Sequence, residues 1–258
     1  MKKRFLAIGI GVLSAGIAFS GMTACQNLYG RFIYDDAMRY SVGGASVAGT
    51  VTQLEVDWLS GSVNVAYGDV EKVTFSESAN QTLAEKDTVH YWLENTTLHI
   101  KYAQSGSRFT ANNVLAKDLT VILPASLALN GLEIDSVAAD VILTDIKTHD
   151  VDIEIVSGDV NGSFNGVHDF SVDIVSGNAE LHFATAPNSG EYQNVRGDMT
   201  LYLPAETGFT LELEKARGSF ECEFETVKRG DRYVCGNGAN EYDIETVSGN
   251  VYLKKTVQ

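Results

Sequence analysis

VDIEIVSGDVNG at residues 151–162 and FSVDIVSGNAEL at 170–181 are two versions of one pattern, and that pattern decides the fold. LEVDWLSGSVNV (54–65) and YDIETVSGNVYL (242–253) repeat it closely; LEIDSVAADVIL (132–143), EYQNVRGDMTL (191–201) and LELEKARGSFEC (211–222) fit the same frame more loosely. A small residue marks the corner of every copy: Gly61, Ala139, Gly158, Gly177, Gly197, Gly218 and Gly249. From Ala139 to Gly218 these corners lie 19, 19, 20 and 21 residues apart, a period that points to stacked coils rather than sandwich strands.

Five residues before the corner stand Val56, Ile134, Ile153, Val172, Tyr192, Leu213 and Ile244, and two after it Val63, Val141, Val160, Ala179, Met199, Phe220 and Val251. Both columns are expected to face a core. So is the column two before the corner, Leu59, Val137, Val156, Val175, Val195, Ala216 and Val247. Strict strand alternation cannot put all three inside, so the chain must bend or bulge at the corner. Gly there can adopt positive φ, and Ala139 in one copy implies that Gly→Ala is milder than Gly→Val. Ser62, Asp140, Asp159, Asn178, Asp198, Ser219 and Asn250 follow at once, all able to hydrogen-bond turn amides.

The fold expected is all-β, a right-handed parallel β-helix or β-solenoid with about 20 residues per coil and about eleven coils. KVTFSES (72–78), VHYWLEN (89–95), TLHIKYA (97–103) and KDLTVILP (117–124) read as strands, with a hairpin at Glu94-Asn95-Thr96 that breaks regular coiling in residues 66–130. Residues 51–258 form the solenoid domain, and 25–50 a tether and first strand.

Residues 1–24 read as a signal peptide. Lys2, Lys3 and Arg4 precede an apolar run from Phe5 to Phe19, too short for a permanent membrane span, and small residues lead to Cys25. Met22-Thr23-Ala24-Cys25 resembles the lipobox of bacterial lipoproteins, which implies lipidation of Cys25 and anchoring at the outer face of the bacterial cytoplasmic membrane or the cell surface. Against 19 basic residues stand 34 acidic ones, a net charge of -15 that disfavours nucleic acid as a partner.

The SGxV corners, KDLTVILP, MTLYLPAETGFTLELEKARGSFECEF and the closing GNGANEYDIETVSGNVYL resemble a bacterial β-strand-repeat family of unknown function, labelled "putative adhesin", over about residues 50–255. The resemblance implies a fold and an adhesin-like binding role; it carries no catalytic residues over, because the shared motifs are core and corner positions.

Enzyme chemistry has little support. His90, His99, His149, His168 and His182 show no metalloprotease spacing, and no nucleophile elbow or phosphate loop is present. Pairs such as Asp152 with Glu154 imitate polysaccharide-cleaving β-helices but lack the basic groups or cation that chemistry needs. No cofactor is expected. Arg-Gly-Asp occurs at 196–198, where the repeat accounts for it, and at 229–231, on an expected exposed turn. For Cys222 and Cys235 a disulfide and a pair of free thiols both remain open.

The most distinctive chemistry is an acidic stripe. Six residues before each corner stand Glu55, Glu133, Asp152, Ser171, Glu191, Glu212 and Asp243, and four before it Asp57, Asp135, Glu154, Asp173, Gln193, Glu214 and Glu245, facing outward. One reading is a solvated face that opposes aggregation. The other is a surface that recruits calcium weakly, or a basic peptide or envelope protein. The function expected is a lipid-anchored, non-catalytic binding or scaffold module, the alternative being envelope-stress sensing or regulation of a membrane signalling protein.

Overall fold

A computed structural model describes residues 30–110 and 113–256. The signal peptide and Cys25 lie outside the described residues. Among the described residues no helix is long and apolar enough to cross a membrane, and only two short 3-10 turns interrupt strands that all join one hydrogen-bonded sheet.

The repeat becomes a parallel stack. Strand Asp169–Ser176 pairs in register with residues 150–157 on one side and with Ser189–Arg196 on the other, so Asp169 lies level with Asp150 and Ser189. After the corner, Ala179–Phe183 lies between Val160–Asn165 and Met199–Leu203 in the same way. Each layer is therefore two strands meeting at a corner, and strand Leu129–Ser157 runs without interruption from one layer into the next.

The order of layers is not the order of the sequence. Along the corner column it runs Lys117, Gly61, Ala139, Gly158, Gly177, Gly197, Gly249, Gly218. Strand Asn240–Ser248 enters between Ser189–Arg196 and Phe209–Arg217, and Gln53–Gly68 lies between Leu129–Ser157 and the pair Thr97–Lys101 and Lys117–Pro124. The expected sequential solenoid of about eleven coils is thus corrected. Antiparallel partners close both ends: His90–Glu94 and Thr74–Ala79 at one, Arg232–Cys235 with Thr226–Arg229 at the other. Short antiparallel caps remove the long open edges that a plain solenoid would offer to a second chain. The hairpin at Glu94-Asn95-Thr96 is present, with Asn95 at φ 54°.

The core follows two of the three expected columns. Val56, Ile134, Ile153, Val172, Tyr192 and Ile244 are buried, as are Val63, Val141, Val160, Ala179, Met199 and Val251; Leu213 and Phe220, in the final layer, are half-buried. In the column two before the corner only Leu59 is buried, and Val137 packs against the core from its edge. Val137, Val156, Val175, Val195 and Val247 are half-buried and Ala216 exposed, while the column three before it, with Trp58, Ser136, Ile155, Ile174, Asn194 and Thr246, is inside. The chain keeps strict alternation up to that position and changes phase only at the corner itself.

Residues 30–50 are more than a tether. Phe32 and Val47 are 2% exposed; Phe32 packs edge-on against Tyr34, Tyr102 and Phe109, and Ser41–Val42 and Ala45–Ser46 pair with strands of the cap. Lys117 ends the corner column as a wholly buried cation. Its ammonium donates to Glu77 Oε2 at 2.7 Å and to the carbonyls of Asp87 and Tyr102, and it sits 3.9 Å from the Tyr102 ring centre. Burial pushes this lysine's pKa down, and Glu77 pulls it back up.

What the corners require is now visible. Gly61, Gly158, Gly177, Gly197 and Gly218 have φ between 111° and 155°, and a Cβ on Gly177 would stand 1.8 Å from the carbonyl oxygen of Gly158 one layer away. Gly249 is not at positive φ, yet its Cβ would meet Gly197 O at 1.8 Å. At Gly249 the stacking distance, not the dihedral, crowds out a side chain, while between Gly61 and Gly158 the column accommodates the Cβ of Ala139. The polar residue after each corner completes the column. Asp140 Oδ1 accepts the Asp159 amide at 2.9 Å, Asp159 that of Asn178 at 2.7 Å, Asn178 that of Asp198 at 3.0 Å, Asp198 that of Asn250 at 2.7 Å, and Asn250 that of Ser219 at 2.9 Å.

A Cβ on Gly158 would stand 2.2 Å from the carbonyl oxygen of Ala139, so Gly177→Ala and Gly158→Val should both lose about 3 kcal/mol or more in urea or thermal melts, because a backbone oxygen moves aside only with its whole layer. Gly106, at φ 90° with nothing within 4 Å of a built Cβ, separates the two causes. Gly106→Ala should cost about 1 kcal/mol, and Gly249→Ala far more. Equal small losses at Gly106, Gly177 and Gly249 would contradict the stacking argument.

Candidate functional site

The acidic stripe is real and its register is set by the sheet. Glu55, Glu133, Asp152, Ser171, Glu191, Asp243 and Glu212 lie side by side in one row, and Asp57, Asp135, Glu154, Asp173, Gln193, Glu245 and Glu214 in the next. Layers about 4.8 Å apart put like charges at a cost of about 1 kcal/mol per neighbouring pair even at the dielectric of water.

Water does not reach both rows equally. Glu133, Asp152 and Glu191 are exposed, whereas Asp135 and Glu154 are 6% and 7% exposed. Alternation gives the reason. The outward neighbours of the second row toward the corner are the half-buried valines Val137, Val156, Val175 and Val195, which form an apolar ridge beside the acids. Loss of water, and then the charges of Asp57 and Glu133, push the Asp135 carboxyl up to about 8; the same two causes raise Asp173 to about 7, with Glu191 the largest of its charged neighbours. Asp243 rises to about 6 and Glu245 rises too, again by burial and then by neighbouring acids. Carboxyls pushed up in this way carry less charge near neutral pH, which eases the repulsion along the rows.

Basic side chains cap the rows at the ends. In the first row His99 Nδ1 lies 2.7 Å from Glu55, and Arg232 Nη2 lies 2.9 Å from Glu212; in the second, Lys101 pairs with Asp57. His99 holds the Glu55 carboxyl below its usual range. In between, Gln193 donates to Glu191 at 2.7 Å.

At the His99 end the stripe runs into a half-open cleft of about 310 Å³. It is lined by the stripe residues Glu55, Asp57, Glu133 and Asp135 with His99 and Lys101, by the aromatic rings of Tyr34, Tyr40 and Trp92, and by Asp35, Asp36 and Glu94. The Tyr34 and Tyr40 rings are 4.6 Å apart and Tyr40 and Trp92 5.8 Å, while Trp92 stacks on His99 at 5.7 Å. The acidic lining residues were legible in the sequence; the aromatic ones were not, because Tyr34, Tyr40 and Trp92 lie in segments outside the repeat. His99 and Lys101 did carry a signal, since Leu98-His99-Ile100-Lys101 aligns with Leu54-Glu55-Val56-Asp57.

Other candidates fall out differently. Cys222 and Cys235 are free thiols in this structure, facing Phe224 O at 3.7 Å and Thr207 O at 3.4 Å. In the first Arg-Gly-Asp, Gly197 is a corner and Asp198 is committed to the Asn250 amide; the second is an exposed hairpin tip with Gly230 at φ 67°. Among the described residues no group of three or more His, Cys, Asp or Glu is arranged to hold a metal ion.

The raised carboxylates make stability pH-dependent with a definite sign. Asp135, Asp173 and Asp243 bind protons more tightly folded than unfolded, so the folded state is favoured while they are protonated, and stability falls as pH rises from about 4 to about 8. The Tm at pH 5 should exceed that at pH 8.5 by several degrees, and Asp135→Asn with Asp173→Asn should flatten the profile and raise the Tm at pH 8.5. A profile that climbs toward pH 8.5 would contradict this.

A family model described as Toastrack DUF4097 matches residues 50–254. Among solved structures the chain is similar to a "putative cell adhesion protein" from Clostridium sporogenes, at 16% identity and TM-score 0.47 over 84% of this chain and 99% of that one. It is also similar to a "putative adhesin" from Bacteroides fragilis, at 13% identity and TM-score 0.39 over 83% of this chain and 96% of that one. No curated protein matches it. With a match that spans nearly the whole layered domain, the chain belongs to the Toastrack DUF4097 family.

Proposed function

We propose that the protein is a non-catalytic binding module of the bacterial envelope, exported and lipid-anchored through Cys25, that presents its acidic rows to a basic peptide or protein partner. The observation that carries this reading is the registered pair of acidic rows flanked by an apolar valine ridge. A cationic segment with apolar side chains complements both features: its charges relieve repulsion between layers, and its apolar groups cover the valines. Calcium is the weaker occupant, because no compact ligand set stands in the rows. The anchor rests on the basic start, the apolar run and Met22-Thr23-Ala24-Cys25. The winding we propose for the central layers is a right-handed parallel β-helix of about 20 residues per turn, in keeping with the handedness of parallel crossovers.

Two measurements check it. Calorimetry with a cationic amphipathic peptide should show binding that weakens about tenfold between low and physiological salt, and that is largely lost in Asp152→Asn/Glu154→Gln/Asp173→Asn. Salt-insensitive binding, or equal binding by the triple variant, would leave the stripe as a solubility device. In cells the protein should partition with membranes, and Cys25→Ser should release it; unmodified wild-type protein in the medium would remove the anchor.

A further inference from the structure

We infer that the cleft at the His99 end of the stripe is a binding site for a primary alkylammonium group, such as a lysine side chain or a free aliphatic amine. The inference rests on the binding-module reading only in placing the site on the same face; its evidence is separate.

Carboxylates outnumber basic side chains in the cleft. Glu55 is taken by His99 and Asp57 by Lys101, while Asp36 pairs with Arg39 at 3.4 Å. Of the other lining carboxylates, Asp35, Glu94, Glu133 and Asp135, only Asp135 is buried, at 6% exposed, and its charged neighbours Asp57, Glu133, Glu154 and Asp152 are all acids. Two other lining atoms, the buried hydroxyl of Tyr34 and Nε2 of His99, have no hydrogen-bond partner. Buried polar groups without partners are uncommon and costly, and two in one cleft mark a place where a donor is missing.

The rest of the lining says what kind of donor. Tyr34, Tyr40 and Trp92 form a connected aromatic wall, and aromatic faces attract organic cations. The Trp92 ring already carries the Arg39 guanidinium at 5.2 Å, so this wall holds a cation within the molecule itself. A volume of about 310 Å³ is at the small end of ligand pockets and suits an amine of side-chain size. A metal ion would leave the aromatic wall without a role. A quaternary ammonium would satisfy the wall but has no N–H to give the Asp135 carboxylate or the Tyr34 oxygen. A primary ammonium has three.

The test uses the full-length protein at pH 8, with binding followed by calorimetry and by Trp fluorescence. Butylamine and Nα-acetyl-lysinamide are the primary-amine probes, choline the quaternary one. Wild type should bind both primary amines at least tenfold more tightly than choline. Asp135→Asn and Tyr34→Phe, each close to the shape of the residue it replaces, should each weaken the amines about tenfold with thermal melts that confirm folding. Tighter binding of the lysinamide assigns the site to a peptide side chain, and tighter binding of butylamine to a free amine; either supports the inference. No amine binding, choline equal to the amines, or unchanged affinity in both variants would overturn it. Glu191→Gln/Asp243→Asn/Glu245→Gln, in the stripe but none of them among the charged neighbours of Asp135, should weaken peptide binding and keep amine binding, so loss of peptide binding along the stripe and loss of amine binding in the cleft are read separately.

Discussion

The close approach of one corner to the next is the constraint on which the rest of the molecule depends. With a built Cβ only 1.8 Å from the neighbouring carbonyl at Gly177, Gly197, Gly218 and Gly249, the layers can stack in one register and no other. The acceptor side chains from Asp140 through Asn250 tie that register from layer to layer by taking the amide of the equivalent residue next door. Everything two, four or six residues from a corner is thereby aligned through the stack, whether that alignment is comfortable or not. For the inward columns it yields a continuous apolar core. For the outward ones it yields rows of like charge.

The charged rows show what the corner column can impose. Spacing acids at the interlayer distance is unfavourable, and no local preference of the chain would choose it. The structure accommodates it with capping basic side chains at the ends, with Gln193 and Ser171 diluting the middle, and with carboxyls such as Asp135 and Asp173 held protonated into the neutral range. A face that gains stability whenever a positive charge arrives is poised to bind one. That is a physical reason for the stripe to be a recognition surface, and it does not depend on any relative's behaviour.

Much of this was legible in the residues. Alternation and the 19–21-residue spacing located the corners, the two true core columns and both acidic rows, because a repeat reports its own register. The valines two before the corner were misread for a definite reason: they are apolar, and only the phase of the bend tells whether they point in or out. Layer order was hidden as well. Nothing local in Asn240–Ser248 says that it enters between Ser189–Arg196 and Phe209–Arg217, although the longer step from Gly218 to Gly249 marked an insertion there. The cleft was out of reach, since Tyr34, Tyr40 and Trp92 belong to segments outside the repeat and meet the stripe only through tertiary packing.

The central claim is that the corner column forces carboxylates into desolvated rows whose protons a cationic partner displaces. Site-resolved NMR titration of the Asp135 and Asp173 carboxyl carbons tests it most directly. The account predicts midpoints far above the ordinary 3.8, at about 8 and about 7, and a downward displacement of both when a cationic peptide is present. Midpoints near 4 that ignore the peptide would contradict it.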